Sequence, residues 1–119
     1  LLRAQRLGQK ASKVGFDWNA DEAVFDKVDE ETLELREAIA TSSDSAITHE
    51  LGDLLFSLVN LARHLGVDAD AALQGANDRF DSRFRHVEHC AIAAAGDIES
   101  VSHSALEAYW EKAKETEGK

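Results

Sequence analysis

Two acidic clusters, some twenty residues apart, are the residues of this chain best suited to chemistry. The first is Glu30-Glu31-Thr32-Leu33-Glu34 and the second is Glu50-Leu51-Gly52-Asp53. At about 100° per residue, Glu31 falls in the middle of an apolar helical stripe formed by Val24, Val28 and Leu35. Glu34 lies at the edge of that stripe and Glu30 further round. On the next helix Glu50 borders a stripe of Ile47, Leu51, Leu54 and Leu58, and Asp53 follows one turn on. Carboxylates on a buried face are costly unless paired or bound to metal, and several together repel one another. A hard divalent cation such as Mg²⁺ or Mn²⁺, which prefers oxygen ligands, resolves both problems. Acidic runs on helices are more often solvated faces. Two features argue against that here: Glu31 interrupts an apolar stripe, and a second acidic pair repeats the i, i+3 spacing.

The elements that must position these groups read as helices. The chain has 119 residues, no proline and only seven glycines, so helix breakers are scarce. No run alternates strictly enough to be a strand. At 44% hydrophobic, the chain can build a core and reads as one domain over residues 1–119. The first helix covers residues 2–14 on Ala4, Leu7, Ala11 and Val14, and Gly15 ends it. Phe16 and Trp18 follow in a short loop. Two aromatics there either plug the core or form a stacking platform for a nucleobase. An Asn19–Glu22 capping box starts a second helix that runs to about Ala40. A third helix spans about 46–65 and is apolar on two sides, since Phe56 and Val59 lie away from its main stripe. That marks it as central or as an oligomer contact. Asp68 or Asp70 caps a fourth helix with a buried stripe of Leu73, Ala76, Phe80, Phe84 and Val87. Ser104 and Glu107 form a capping box for a last helix carrying Trp110 and Lys114.

Charge and composition remove several function classes. The formal charge is −10, which opposes nucleic-acid binding through the net field. A phosphorylated ligand then needs metal ions and local cations. Lys27, Arg79 and Arg83 are candidates. Cys90 is the lone cysteine, and no signal peptide or membrane-length apolar run is present, so a cytoplasmic location is expected. The chain starts within a helical pattern without methionine, as a fragment would. There is no Gly-rich phosphate loop with its Lys-Ser or Lys-Thr. None of the five histidines has Glu three residues before it, so a di-iron carboxylate bundle is disfavoured.

Glu-Glu-x-x-Glu followed by Glu-x-x-Asp on the next helix resembles the signature of the all-α nucleoside triphosphate pyrophosphohydrolases. The likeness is strongest to the MazG family, and to its catalytic C-terminal domain. It is carried by Lys13-Val14-Gly15-Phe16-Asp17-Trp18, by Lys27-Val28-Asp29-Glu30-Glu31, and by Glu50-Leu51-Gly52-Asp53-Leu54-Leu55-Phe56 through Val59-Asn60-Leu61-Ala62-Arg63. Ala76-Asn77-Asp78-Arg79-Phe80, Arg83-Phe84, Trp110 and Lys114 extend it over almost the whole chain. The resemblance implies an antiparallel bundle of four to five helices that dimerises. It also implies hydrolysis of a nucleoside triphosphate to monophosphate and pyrophosphate. Glu31, Glu34, Glu50 and Asp53 match the family's Mg²⁺ ligands, and Glu30 matches a further ligand or a water-orienting base. Phe16, Trp18, Lys27, Asn77, Arg79, Arg83, Trp110 and Lys114 are the expected substrate contacts. The family often has Lys where Arg79 stands, so the forked guanidinium is expected to shift the phosphate register. The rival from another class is a non-catalytic helical dimerisation or regulatory module with vestigial acidic clusters.

Overall fold

The computed structural model describes residues 1–116. They form five helices and no strand: α1 (Leu2–Lys13), α2 (Asp21–Thr41), α3 (Asp44–His64), α4 (Ala69–Ala95) and α5 (His103–Thr116). The all-α expectation holds. The chain divides into two compact units, Leu1–Ala72 and Leu73 onward.

In the first unit α3 is central, packing against both α1 and α2. Gly15 and Gly66 end α1 and α3 as expected. Each adopts a positive φ, and the amide after it bonds back to the helix, Phe16 N to Ala11 O and Val67 N to Ala62 O. The side chain of Ser43 caps α3 by accepting from Ala46 N at 3.3 Å. The expected Asn19–Glu22 box does not form. Ala20 occupies the N-cap of α2 in an extended conformation without a side-chain bond, and Asp21 and Glu22 stabilise the first turn through the helix dipole instead.

The faces of two helices also differ from the sequence reading. On α1 the buried residue is Gly8, while Leu7 and Val14 are exposed. Small residues let α1 lie close to α3, so close that a Cβ on Gly8 would stand 2.6 Å from Asn60 Oδ1 and 3.0 Å from Arg63 Nε. On α3, Leu51 and Leu58 were expected in the buried stripe but are 45% and 44% exposed, as is Leu55 at 48%. Buried positions go instead to Ser57, Val59, Asn60 and Leu61. Ser57 tolerates burial because its hydroxyl donates to Asp53 O at 3.0 Å.

Gly8→Ala should therefore destabilise the protein by about 1–3 kcal/mol, the usual range for overpacking. Gly52, with nothing within 4 Å of a built Cβ, is the control. Gly52→Ala should stabilise α3 by about 0.4–1 kcal/mol. Urea unfolding midpoints of the two variants would check the opposite signs.

Asp68, at the end of the first unit, caps α4 through Ala71 N at 3.0 Å, and in the second unit Gly96 ends that helix at positive φ. Of the expected stripe Val87 is buried, but Leu73, Phe80 and Phe84 are exposed. The two phenylalanines instead stack on each other at 6.1 Å, and Phe80 tilts against Trp110 of α5 at 5.2 Å. The cap of α5 is Ser102, whose hydroxyl accepts from Ala105 N at 3.2 Å, two residues before the expected Ser104.

Candidate functional site

The acidic site is built by α2 and α3, which run side by side after the short Ser42–Ser43 turn. Helical periodicity sends Glu31 into the seam with Val24 and Ala38, and it is only 5% exposed. Lys27, one turn earlier, places Nζ 3.1 Å from Glu31 Oε1 and 3.4 Å from Glu30 Oε1. Glu31 Oε2 is buried with no hydrogen-bond partner, and so is Glu50 Oε1. Such orphaned oxygens are rare in folded proteins, because a buried acceptor left unpaired costs free energy.

The expected ligands, joined by His49, form two trios. Glu30, Glu31 and Glu34 on α2 can bring one oxygen each within 4.8 Å of one another, and His49, Glu50 and Asp53 on α3 can do the same with one ligand atom each. Glu34 links the two helices. Its carboxyl is pushed above the usual range, first by the charge on Glu31, then by burial, then by the charge of Glu50 and a hydrogen bond with it. A donor set of carboxylate oxygens with two orphaned buried atoms fits a metal ion of the hard divalent kind. His49 was not among the residues singled out from the sequence. Its Nε2 lies 3.3 Å from Asp53 Oδ2.

Two pockets flank this site. One, of about 250 Å³, has Lys27, Glu31 and Asp53 on its polar side and Trp18, Phe56, Ser57 and Asn60 on the other. The second, of about 300 Å³, is apolar and lies between α1, the loop after it and α3. Trp18, Phe56 and Asn60 line both. Phe16 lines only the apolar pocket and is otherwise 80% exposed. Phe56 and Asn60 sit inside stretches that were legible in the sequence. Their spacing of four on one helix face could have marked them.

Asp17 organises the loop. Its carboxylate accepts two parallel bonds from Arg63, at 2.9 and 3.0 Å, one of 2.8 Å with His64 Nε2, and one of 2.8 Å from the amide of Trp18. The Arg63 fork, ahead of every other partner, holds the carboxyl far below the ordinary 3.8. A carboxylate lowered in this way adds stability that is fully present above the unfolded value. That stability is lost as pH falls below about 4 toward the folded value. Wild type should thus lose stability between about pH 4 and 2 faster than Asp17→Asn, as urea midpoints across that range would show.

The second unit holds the remaining candidates. Arg83 places its guanidinium 5.6 Å over the Trp110 ring, the cation–π geometry expected of a side chain held in one orientation. Arg79 lies on the same helix, with one terminal nitrogen over Gly75. Asn77 is exposed. Lys114 is 3.9 Å from Glu111 on α5.

Residues 20–88 match the MazG nucleotide pyrophosphohydrolase domain. The chain belongs to the MazG family. That match spans α2 and α3, the helices that build the acidic site, and reaches into α4. The chain is 41% identical over 121 residues to the nucleoside triphosphate pyrophosphohydrolase of Escherichia coli strain K12, an alignment covering 98% of this chain and 45% of that protein. It is 42% identical over 114 residues to the nucleoside triphosphate pyrophosphohydrolase/pyrophosphatase MazG of Thermotoga maritima, covering 96% of this chain and 44% of that one. The uncharacterized protein YabN of Bacillus subtilis is 38% identical over 68 residues, 57% of this chain and 14% of YabN. The chain thus spans about half the length of the Escherichia coli and Thermotoga maritima relatives. No helix among the described residues is long and apolar enough to cross a membrane.

Proposed function

We propose that residues 1–119 act as one catalytic module that hydrolyses nucleoside triphosphates to the monophosphate and pyrophosphate. The observation that carries this reading is the buried carboxylate of Glu31, with one oxygen unpaired, facing a second acidic helix in a MazG-family chain. The names of the Escherichia coli and Thermotoga maritima relatives support the reaction class. Glu31, Glu34, Glu50 and Asp53 would hold the cation, Mg²⁺ with Mn²⁺ as the alternative. When bound, the cation neutralises phosphate oxygens and lowers the pKa of water. Glu30, exposed and at the rim of the cluster, is the carboxylate assigned to orient water and take its proton. Lys27 pairs with Glu31 at 3.1 Å and offers a positive charge to the phosphates. Trp18 and Phe16 supply aromatic surface for the base. Arg79, Arg83 and Lys114, with Asn77 and Trp110, are assigned to the triphosphate and the leaving pyrophosphate, whose charge a cation stabilises.

The experiment is a panel of nucleoside triphosphates with Mg²⁺, scoring monophosphate and pyrophosphate. Release of pyrophosphate from at least one of them supports the assignment. Orthophosphate as the sole product, or no turnover with any, rejects it. In the second case the non-catalytic module becomes the better reading.

We further propose that the protein is a homodimer, that it works in the cytoplasm and that it does not bind nucleic acid. Leu51, Leu55 and Leu58 form a half-exposed strip on one face of the central helix. Such a strip is the kind of surface a two-fold helical interface covers. Sedimentation at micromolar concentration should give a dimer, and replacing Leu55 and Leu58 with Glu should give a folded monomer.

A further inference from the structure

The loop between α1 and α2 carries the aromatic wall shared by the two pockets, yet few bonds hold it. Among the described hydrogen bonds, the amide of Phe16 closes the end of α1, and beyond it the loop is tied through Asp17. That one carboxylate joins three parts of the chain. Arg63 and His64 come from the last turn of α3, Ser12 from the end of α1, and Trp18 is the next residue in the loop. His64 also turns Nδ1 toward Asp21 Oδ1 at 3.5 Å, at the first turn of α2. The Asp17, Arg63 and His64 side chains are at most 19% exposed, so the contacts are shielded from solvent competition.

We propose that Asp17 is a positioning residue. Through the Arg63 fork it sets Trp18 as the wall between the apolar and acidic pockets. It thereby fixes how a flat heteroaromatic group, the base of a nucleoside triphosphate, is seated beside the carboxylates. This rests on the hydrolase reading for the identity of the ligand, but the placement of Trp18 is independent of it. Arg63 contributes in two ways. Its terminal nitrogens hold Asp17, and Arg63 Nη2 also donates to Asn60 Oδ1 at 3.4 Å, at the border of both pockets. Trp18, the next residue after Asp17, can therefore be steered from the far end of α3.

The variants are Asp17→Asn and Arg63→Lys, the second keeping the charge while losing the fork. Trp18 is read by acrylamide quenching in a Trp110→Phe background. Kinetics are read with the best triphosphate of the panel, and Mn²⁺ binding to the acidic cluster by calorimetry. Mispositioning by about an ångström costs up to about a hundredfold. The expected result is a tenfold or greater rise in KM with kcat within about threefold, a more readily quenched Trp18, and unchanged Mn²⁺ affinity and helicity. A rise in quenching with KM unchanged overturns the proposal, as does unchanged quenching. If Asp17→Asn does not fold, Arg63→Lys decides on the same readouts. If the wild type turns over no triphosphate, the hydrolase reading fails and equilibrium binding of ATP decides instead. Weaker ATP binding by the variants then sustains the positioning role. Equal binding, or none by the wild type, rejects it.

Discussion

Replacing Glu50 with Gln, or Asp53 with Asn, is expected to lower triphosphate turnover by more than about a hundredfold. Partners one step removed from a metal already change activity by about 10- to 100-fold, so a direct ligand should cost more. The same variants should leave the helices folded. They should also be more heat-stable than wild type in the absence of divalent cation. The reason is the like charge gathered at the site. Glu34 titrates above its ordinary 4.5 because Glu31, burial and Glu50 disfavour its ionised form. A carboxyl raised in the folded state contributes stability below its unfolded value, and that contribution is lost as pH rises through the folded value. At neutral pH the metal-free site is therefore under repulsion, which a neutral Gln or Asn relieves. Added Mg²⁺ should raise the melting temperature of wild type, and the gain should shrink in either variant. Thermal melts with and without Mg²⁺, run beside product assays, test both parts. Full turnover by the double variant would sink the ligand assignment.

The next largest effect is expected at Arg83. Arg83→Ala should lower kcat/KM by roughly ten- to a hundredfold, the equivalent of about 1.5–3 kcal/mol for a hydrogen bond to a charged group. Mg²⁺ binding should be unaffected. Arg83 is oriented by Trp110, its guanidinium stacked 5.6 Å over the ring, and Phe80 tilts against the same ring at 5.2 Å. Arg85 is the internal control. It lies about 160° round the same helix, is exposed, and pairs at 3.1 Å with Asp81. Exposed i, i+4 pairs contribute little, so Arg85→Ala should keep wild-type kinetics within about twofold by that measure. Equal behaviour of the two variants, or a wild-type rate for Arg83→Ala, would remove Arg83 from the substrate site.

The acidic cluster and the aromatic loop differ in how early they could be recognised. Glu31 was legible because a helix repeats every 3.6 residues, so a charge inside an apolar stripe can be seen without any tertiary information. The two glycine stops, the Asp68 cap and the all-α class follow from similarly local rules. The composition, free of proline, agrees with them. Within α3 the same arithmetic misplaced the buried face. It put Leu51 and Leu58 inward, whereas the neighbours chosen by the fold bury Ser57 and Asn60 and leave those leucines half-exposed. Hydrophobicity alone could not reveal that choice, because α3 must serve α1 and α2 at once. Its polar residues border both pockets, and Ser57 is satisfied by the hydroxyl bond to Asp53.

Helix periodicity, chain-stop chemistry and the spacing of the carboxylates are properties of neighbouring residues, and the sequence alone determined them. Tertiary structure decided the rest: Gly8 pressed against Asn60 and Arg63, and the Asp17 carboxylate joined to Arg63 across 46 positions. It also set Glu34 against Glu50 from the next helix. Each of these depends on which helix faces which and at what distance. Charges, close contacts and hydrogen bonds of that kind fall off within a few ångströms, and no local pattern carries the information on which residues will come within that reach.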